Sequence, residues 1–103
     1  MFGNMVSKMK ELQQILDDTK IRMESIYFET VSNDGAITIV MNANKKIKEI
    51  SINEKLLSIS DKEKLQENLK FTINQAMEKA EKIFESEMKD ITKGVFPTFP
   101  FLF

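Results

Sequence analysis

Residues 25–52 read SIYFETVSNDGAITIVMNANKKIKEISI, and the period of this stretch decides the fold. In SIYFETVS, Ile26 and Phe28 alternate with Tyr27, Glu29 and Val31, the spacing of a strand with one buried face. Asn33-Asp34-Gly35 follows, and these three residue types tolerate the positive φ of a tight turn. In GAITIVMN, Ile37, Ile39 and Met41 lie on one face and Thr38, Val40 and Asn42 on the other. Asn42-Ala43-Asn44 is a second turn. In KKIKEISI the parity slips: Ile50 and Ile52 share a face with Lys48, while Ile47 points opposite. A bulge near Lys48, or apolar cover on both faces, accounts for the slip. The stretch therefore predicts a three-stranded antiparallel meander.

On either side the period changes to that of a helix. From about Phe2 to Glu24, the residues Met5, Met9, Leu12, Leu16, Thr19, Met23 and Ile26 step alternately by four and three, a coiled-coil spacing. Val6 and Ile15 widen this stripe, and the charged residues lie elsewhere. After the strands, Leu56, Leu57 and Ile59 anchor a connector. Ser60 and Glu63 then form a capping box that opens a helix from about Asp61 to Thr92. Its stripe runs through Leu65, Leu69, Ile73, Ala76, Met77, Ala80, Ile83, Phe84, Met88 and Ile91, with the two alanines permitting close approach. Lys93-Gly94 predicts the helix end, a cation followed by a C′ glycine. The two arms carry more apolar surface than so small a centre can cover, and a second copy is the simplest cover.

At 103 residues the chain is one domain. It contains no Cys and no His, which removes disulfides, thiolate chemistry, the commonest metal ligands and the commonest general base. An enzyme is accordingly disfavoured. The lack of Cys fits a reducing cytoplasm without requiring one. No apolar run is long enough to span a membrane, and the opening MFGNMVSKMK lacks the apolar core of a signal peptide. With 15 basic and 16 acidic residues, any nucleic-acid role must come from the placement of charge, because the total is close to neutral. The tail GVFPTFPFLF, residues 94–103, has Pro where helix or central strand is excluded. It reads either as a frayed end or as a hydrophobic tag.

Taken in order, these elements resemble the YbaB/EbfC nucleoid-associated family. Met1-Phe2-Gly3 leads into a Met- and Gln-rich helix. Asp34-Gly35-Ala36-Ile37-Thr38-Ile39 is similar to the family's G-x-V-x-V strand, and Lys45-Lys46-Ile47-Lys48-Glu49-Ile50-Ser51-Ile52 to its basic strand. Asn53 to Leu57 resembles its connector, and a long Glu/Lys/Ala helix and a Pro-containing apolar tail complete the set. The resemblance covers essentially the whole chain. It implies a homodimer that pairs strands of two subunits, projects its helices, binds double-stranded DNA and alters its conformation. It also implies no catalytic residue and no cofactor, a cytoplasmic, nucleoid location, and a recombination or replication protein as a further partner. Two departures stand out. Ala43 replaces a frequent turn glycine, which predicts a wider turn, and the slightly acidic chain has a single arginine, Arg22. The second weighs against tight DNA binding more than against the fold.

The expected architecture is thus α+β, in the order α-β-β-β-α, with a three-stranded antiparallel sheet and two long helices assembled as an intertwined homodimer. Residues 1–93 form the dimerisation and DNA-binding domain. The dimer interface is expected at Met9, Leu12, Leu16, Met23, Ile37, Ile39, Ile73, Ala76 and Ala80. For DNA, the net basic run is Lys45, Lys46 and Lys48 against Glu49. Lys8, Lys10, Lys20 and Arg22 on the first helix are further candidates, offset there by four acids. Phosphate contact with little sequence preference is the natural form, since no aromatics interleave the basic run. Read without the resemblance, the same lysines are a solvated edge that blocks aggregation. Methionines at helical spacing read as a packed seam. Asp17 and Asp18, adjacent on a helix, diverge and make no metal or acid–base pair. The alternative function is a dimeric adaptor that uses the helix seam and the Phe-rich tail, with weak DNA binding or none.

Overall fold

The computed structural model describes residues 2–56 and 62–95. Helix α1 (Phe2–Glu24) precedes strands β1 (Tyr27–Val31), β2 (Ile37–Asn42) and β3 (Ile47–Ile52). A short 3₁₀ turn (Glu54–Leu56) then leads toward helix α2 (Lys62–Val95). The strands form one antiparallel sheet in the order β1-β2-β3, the predicted meander. Ser60, the first half of the expected capping box, lies outside the described residues, as do Leu57, Ile59 and the tail beyond Val95.

The parity slip in β3 is a bulge. Val40 pairs with Glu49, whereas Met41 pairs with Ile47, so Lys48 has no partner in the ladder. The extra residue returns Ile47 to the side shared by Ile50 and Ile52, which lie opposite Ile39 and Ile37. Lys48 is turned to the other face, where its Nζ lies 4.7 Å from the centre of the Tyr27 ring.

On one face of the sheet, Ile37, Ile39 and Met41 pack beneath Ala76 and Ala80 of α2, all five fully buried. Phe28, Ile52, Leu65, Leu69 and Ile73 extend this core. The two alanines present no bulk beyond Cβ, so the helix backbone approaches the sheet closely. Burying each isoleucine contributes about 1.5–3 kcal/mol. Two threonines also lie within this layer. Thr72 satisfies its hydroxyl on the Asn68 carbonyl at 2.7 Å, whereas the buried Thr30 hydroxyl has no hydrogen-bond partner.

The first turn is built on Ser32. Its Oγ accepts from the backbone nitrogens of Ala36 and Ile37 and donates to Asp34 Oδ1 at 2.6 Å. Gly35 supplies the left-handed residue, with φ +73°. Asn68 of α2 donates to Asp34 Oδ2 at 2.9 Å and fixes the turn to the helix.

Helix α2, about 50 Å long at 1.5 Å per residue, outruns the sheet. It passes through Gly94 to Val95, beyond the end expected at Lys93. An interior glycine costs a helix only about 1 kcal/mol, which does not stop propagation at the end of so long an element. Past the sheet, Phe84 and Met88 approach Leu16 and Met23 of α1 across an open cleft of about 350 Å³. Toward its N-terminus α1 is exposed, with Met5 64%, Val6 50% and Met9 70% accessible.

Candidate nucleic-acid interface

The second turn joins α1, the sheet and α2. Asn42 is 97% buried by its 3% exposure, and its Oδ1 accepts from the backbone nitrogens of Asn44 and Lys46, both at 3.0 Å. The first three of the loop residues that follow, Ala43, Asn44 and Lys45, place the positive φ on Lys45 at 66°. Ala43 therefore needs no left-handed backbone, and its nitrogen donates to the Ile26 carbonyl at 2.9 Å. Asn44 Nδ2 donates to the Lys20 carbonyl at 2.9 Å. The last carbonyls of a helix lack intrahelical donors. Here Asn42 Nδ2 supplies one to the Glu24 carbonyl at 3.3 Å, and Ser25 and Ile26 nitrogens supply Arg22 and Met23.

This scaffold pins together the two segments that carry four of the seven candidate DNA contacts. Lys20 and Arg22 come from the last turns of α1, and Lys45 and Lys46 from the turn between β2 and β3. Lys48 stands apart on the bulge, over Tyr27. Lys8 and Lys10 are exposed further along α1. Lys10 lies about 15 Å from Lys20 at 1.5 Å per residue.

Three of these four cations are paired with carboxylates. Lys45 Nζ meets Glu81 at 2.5 Å and Lys46 Nζ meets Glu24 at 2.8 Å. Arg22 pairs with Glu87. The Lys46 ammonium, followed by the Asn44 side chain, holds the Glu24 carboxyl below the usual carboxylate range. These carboxylates are the site residues that sequence reasoning missed. Glu87 lies 65 positions from Arg22, so no local period links them.

The positions expected at a dimer interface divide into two groups. Ile37, Ile39, Ala76 and Ala80 are fully buried between sheet and helix of one chain, with Ile73 packed against them. Met23 is buried where α1 meets the turn. Met9 is exposed, and Leu12 and Leu16 are half-buried. Among the described residues, no group of three or more His, Cys, Asp or Glu is placed to hold a metal ion, and no helix is long and apolar enough to cross a membrane.

A 15%-identical solved structure shares this fold: the uncharacterized protein HP0035 from Helicobacter pylori superposes with a TM-score of 0.80, over 88% of this chain and 96% of that one. Sequence relatives are nearer. A nucleoid-associated protein of Flavobacterium johnsoniae is 38% identical over 96 residues, covering 93% of this chain and 89% of the relative. Another, from Ruminiclostridium cellulolyticum, is 34% identical, covering 90% and 84%. The family model of the YbaB/EbfC DNA-binding family matches residues 1–95, spanning both helices and the whole sheet. By its sequence and by the architecture that sequence builds, the chain belongs to the YbaB/EbfC DNA-binding family.

Proposed function

We propose that this chain is a nucleoid-associated protein that binds double-stranded DNA as a homodimer. It contacts phosphates with little sequence preference, alters the conformation of the duplex and performs no catalysis. The single observation that carries this reading is the corner where the turn bearing Lys45 and Lys46 is pinned to the end of α1 bearing Lys20 and Arg22, in a chain of a DNA-binding family. Cations on elements pinned to one another suit phosphate positioning. A cytoplasmic, nucleoid location follows from the ligand, and a recombination or replication protein is a further partner.

The homodimer is supported by the uncovered apolar residues of α1, with Met5, Val6 and Met9 at least half exposed. Tyr27 and Val31 on the sheet face away from α2 are 49% and 48% exposed. In this reading Met9, Leu12 and Leu16 meet the second chain directly, while the buried core residues support the surfaces that do.

Gel shift of a random-sequence duplex at about 50 and 200 mM salt tests the assignment. Changing Lys45, Lys46 and Lys48 to Glu should abolish a shift that the unaltered protein produces. An unchanged shift would remove this surface from the account. The second reading, a dimeric protein-interaction adaptor that uses the helix seam and the Phe-rich tail, draws on the exposed Met5 and Met9 of α1. It gains if truncation after Gly94 removes a captured partner while dimerisation persists.

A further inference from the structure

The corner proposed to meet DNA is nearly neutral in the free chain. Glu24, Glu81 and Glu87 each come from a different element or helical turn than the cation they hold. All three pairs are open to water: the carboxylate side chains are 40%, 47% and 24% exposed and those of their cations 70%, 43% and 57%. A phosphate reaching Lys45, Lys46 or Arg22 therefore meets a carboxylate already in place.

We infer that Glu24, Glu81 and Glu87 are affinity-setting residues that compete with the phosphate backbone for Lys46, Lys45 and Arg22. The inference rests on the DNA-binding reading and deepens it. Binding exchanges three intramolecular carboxylate partners for phosphates. Exposed ion pairs are weak, so the exchange proceeds, but each released carboxylate stays near the duplex and repels it. The carboxylates thereby hold the chain to modest, reversible binding with a shallower salt dependence than free cations would give. Glu24 has a second task, because its carboxylate also accepts from Asn42 at 2.9 Å. Glu81 and Glu87 are the cleaner positions to test.

The experiment measures anisotropy of a labelled random-sequence duplex with full-length Glu81→Gln, Glu87→Gln and the double variant. Glu63→Gln, in the first turn of α2, makes the same charge change away from the corner. Glutamine preserves shape, and circular dichroism checks the fold. Each corner variant should tighten binding about threefold and the pair about tenfold, from the usual strength of exposed ion pairs. The salt slope should steepen by up to about 0.9 per freed cation. Glu63→Gln should change affinity less than about 1.5-fold, as expected for a charge not engaged in a pair at the site. In a Lys45→Gln background the gain from Glu81→Gln should vanish. Binding by the unaltered chain that the corner variants leave unchanged, or that Glu63→Gln strengthens equally, overturns the inference alone. No binding by any of these proteins at about 50 mM salt overturns the DNA-binding reading and the inference with it.

Discussion

The Asn42 side chain donates both to the backbone carbonyl of Glu24, at 3.3 Å, and to its carboxylate, at 2.9 Å. One residue at the end of β2 thus closes the last turn of α1. The same side chain accepts from two nitrogens of the following loop. The basic corner depends on this junction for its shape.

Asn42→Ala should therefore lower stability by about 2–3 kcal/mol, since it removes several hydrogen bonds at a buried position and strands their partners. Urea denaturation measures the change. A loss below about 0.5 kcal/mol would show that the junction holds without its amide.

The carboxyls of Glu24 and Asp34 are both held below the usual range, the first chiefly by Lys46 and the second chiefly by the Ser32 hydroxyl. A carboxyl whose folded pKa is depressed favours the folded chain above its unfolded value, and this contribution is lost as pH falls through the folded one. The protein should lose thermal stability as pH drops below about 4, the ordinary carboxylate value. In the Glu24→Gln/Asp34→Asn variant that pH dependence should be shallower. Superimposable profiles of melting temperature against pH would contradict the assignment.

Thr30 is buried beside the Ile39 core position it pairs with, and its hydroxyl has no partner. Thr30→Val keeps the shape and removes the unsatisfied group, so it should stabilise the chain by about 1 kcal/mol. Chemical denaturation reads this directly, and destabilisation would mean that the hydroxyl is hydrogen-bonded in solution.

Met9 and Ile39 separate assembly from folding. Met9 is 70% exposed and Ile39 is fully buried. Met9→Lys should shift a dimer toward monomer with little loss of helix, whereas Ile39→Ala should cost about 2–5 kcal/mol of fold stability. Light scattering and circular dichroism distinguish the two. A Met9→Lys protein that remains fully dimeric would place the interface elsewhere.

Much of the architecture was legible because its signals are local. The period-two alternation of Ile37, Ile39 and Met41 marks a strand face, and the parity slip at Lys48 located a bulge that the register contains. Asn33-Asp34-Gly35 announced its turn by residue type, with Gly35 in the left-handed region. The second turn was less readable, since its positive φ falls on Lys45, a residue with no turn preference. The end of α2 was misplaced because Gly94 is also tolerated inside a helix. The basic run was visible, but its partners were not. Nothing in the sequence singled out Glu81 or Glu87, which the fold sets beside Lys45 and Arg22. Apolar stripes likewise show that a face is covered and do not say by what. Ile37, Ile39, Ala76 and Ala80 cover one another within a single chain, whereas Met9 has the same helical spacing and is exposed.

The most direct test of the central claim is the affinity of the full-length protein for a random-sequence DNA duplex, followed from about 50 to 200 mM salt. The account predicts micromolar binding at the lower concentration and a loss on the order of a hundredfold across the range, the fall expected for about four phosphate contacts. Absence of binding at about 50 mM salt, or binding indifferent to salt, would contradict it.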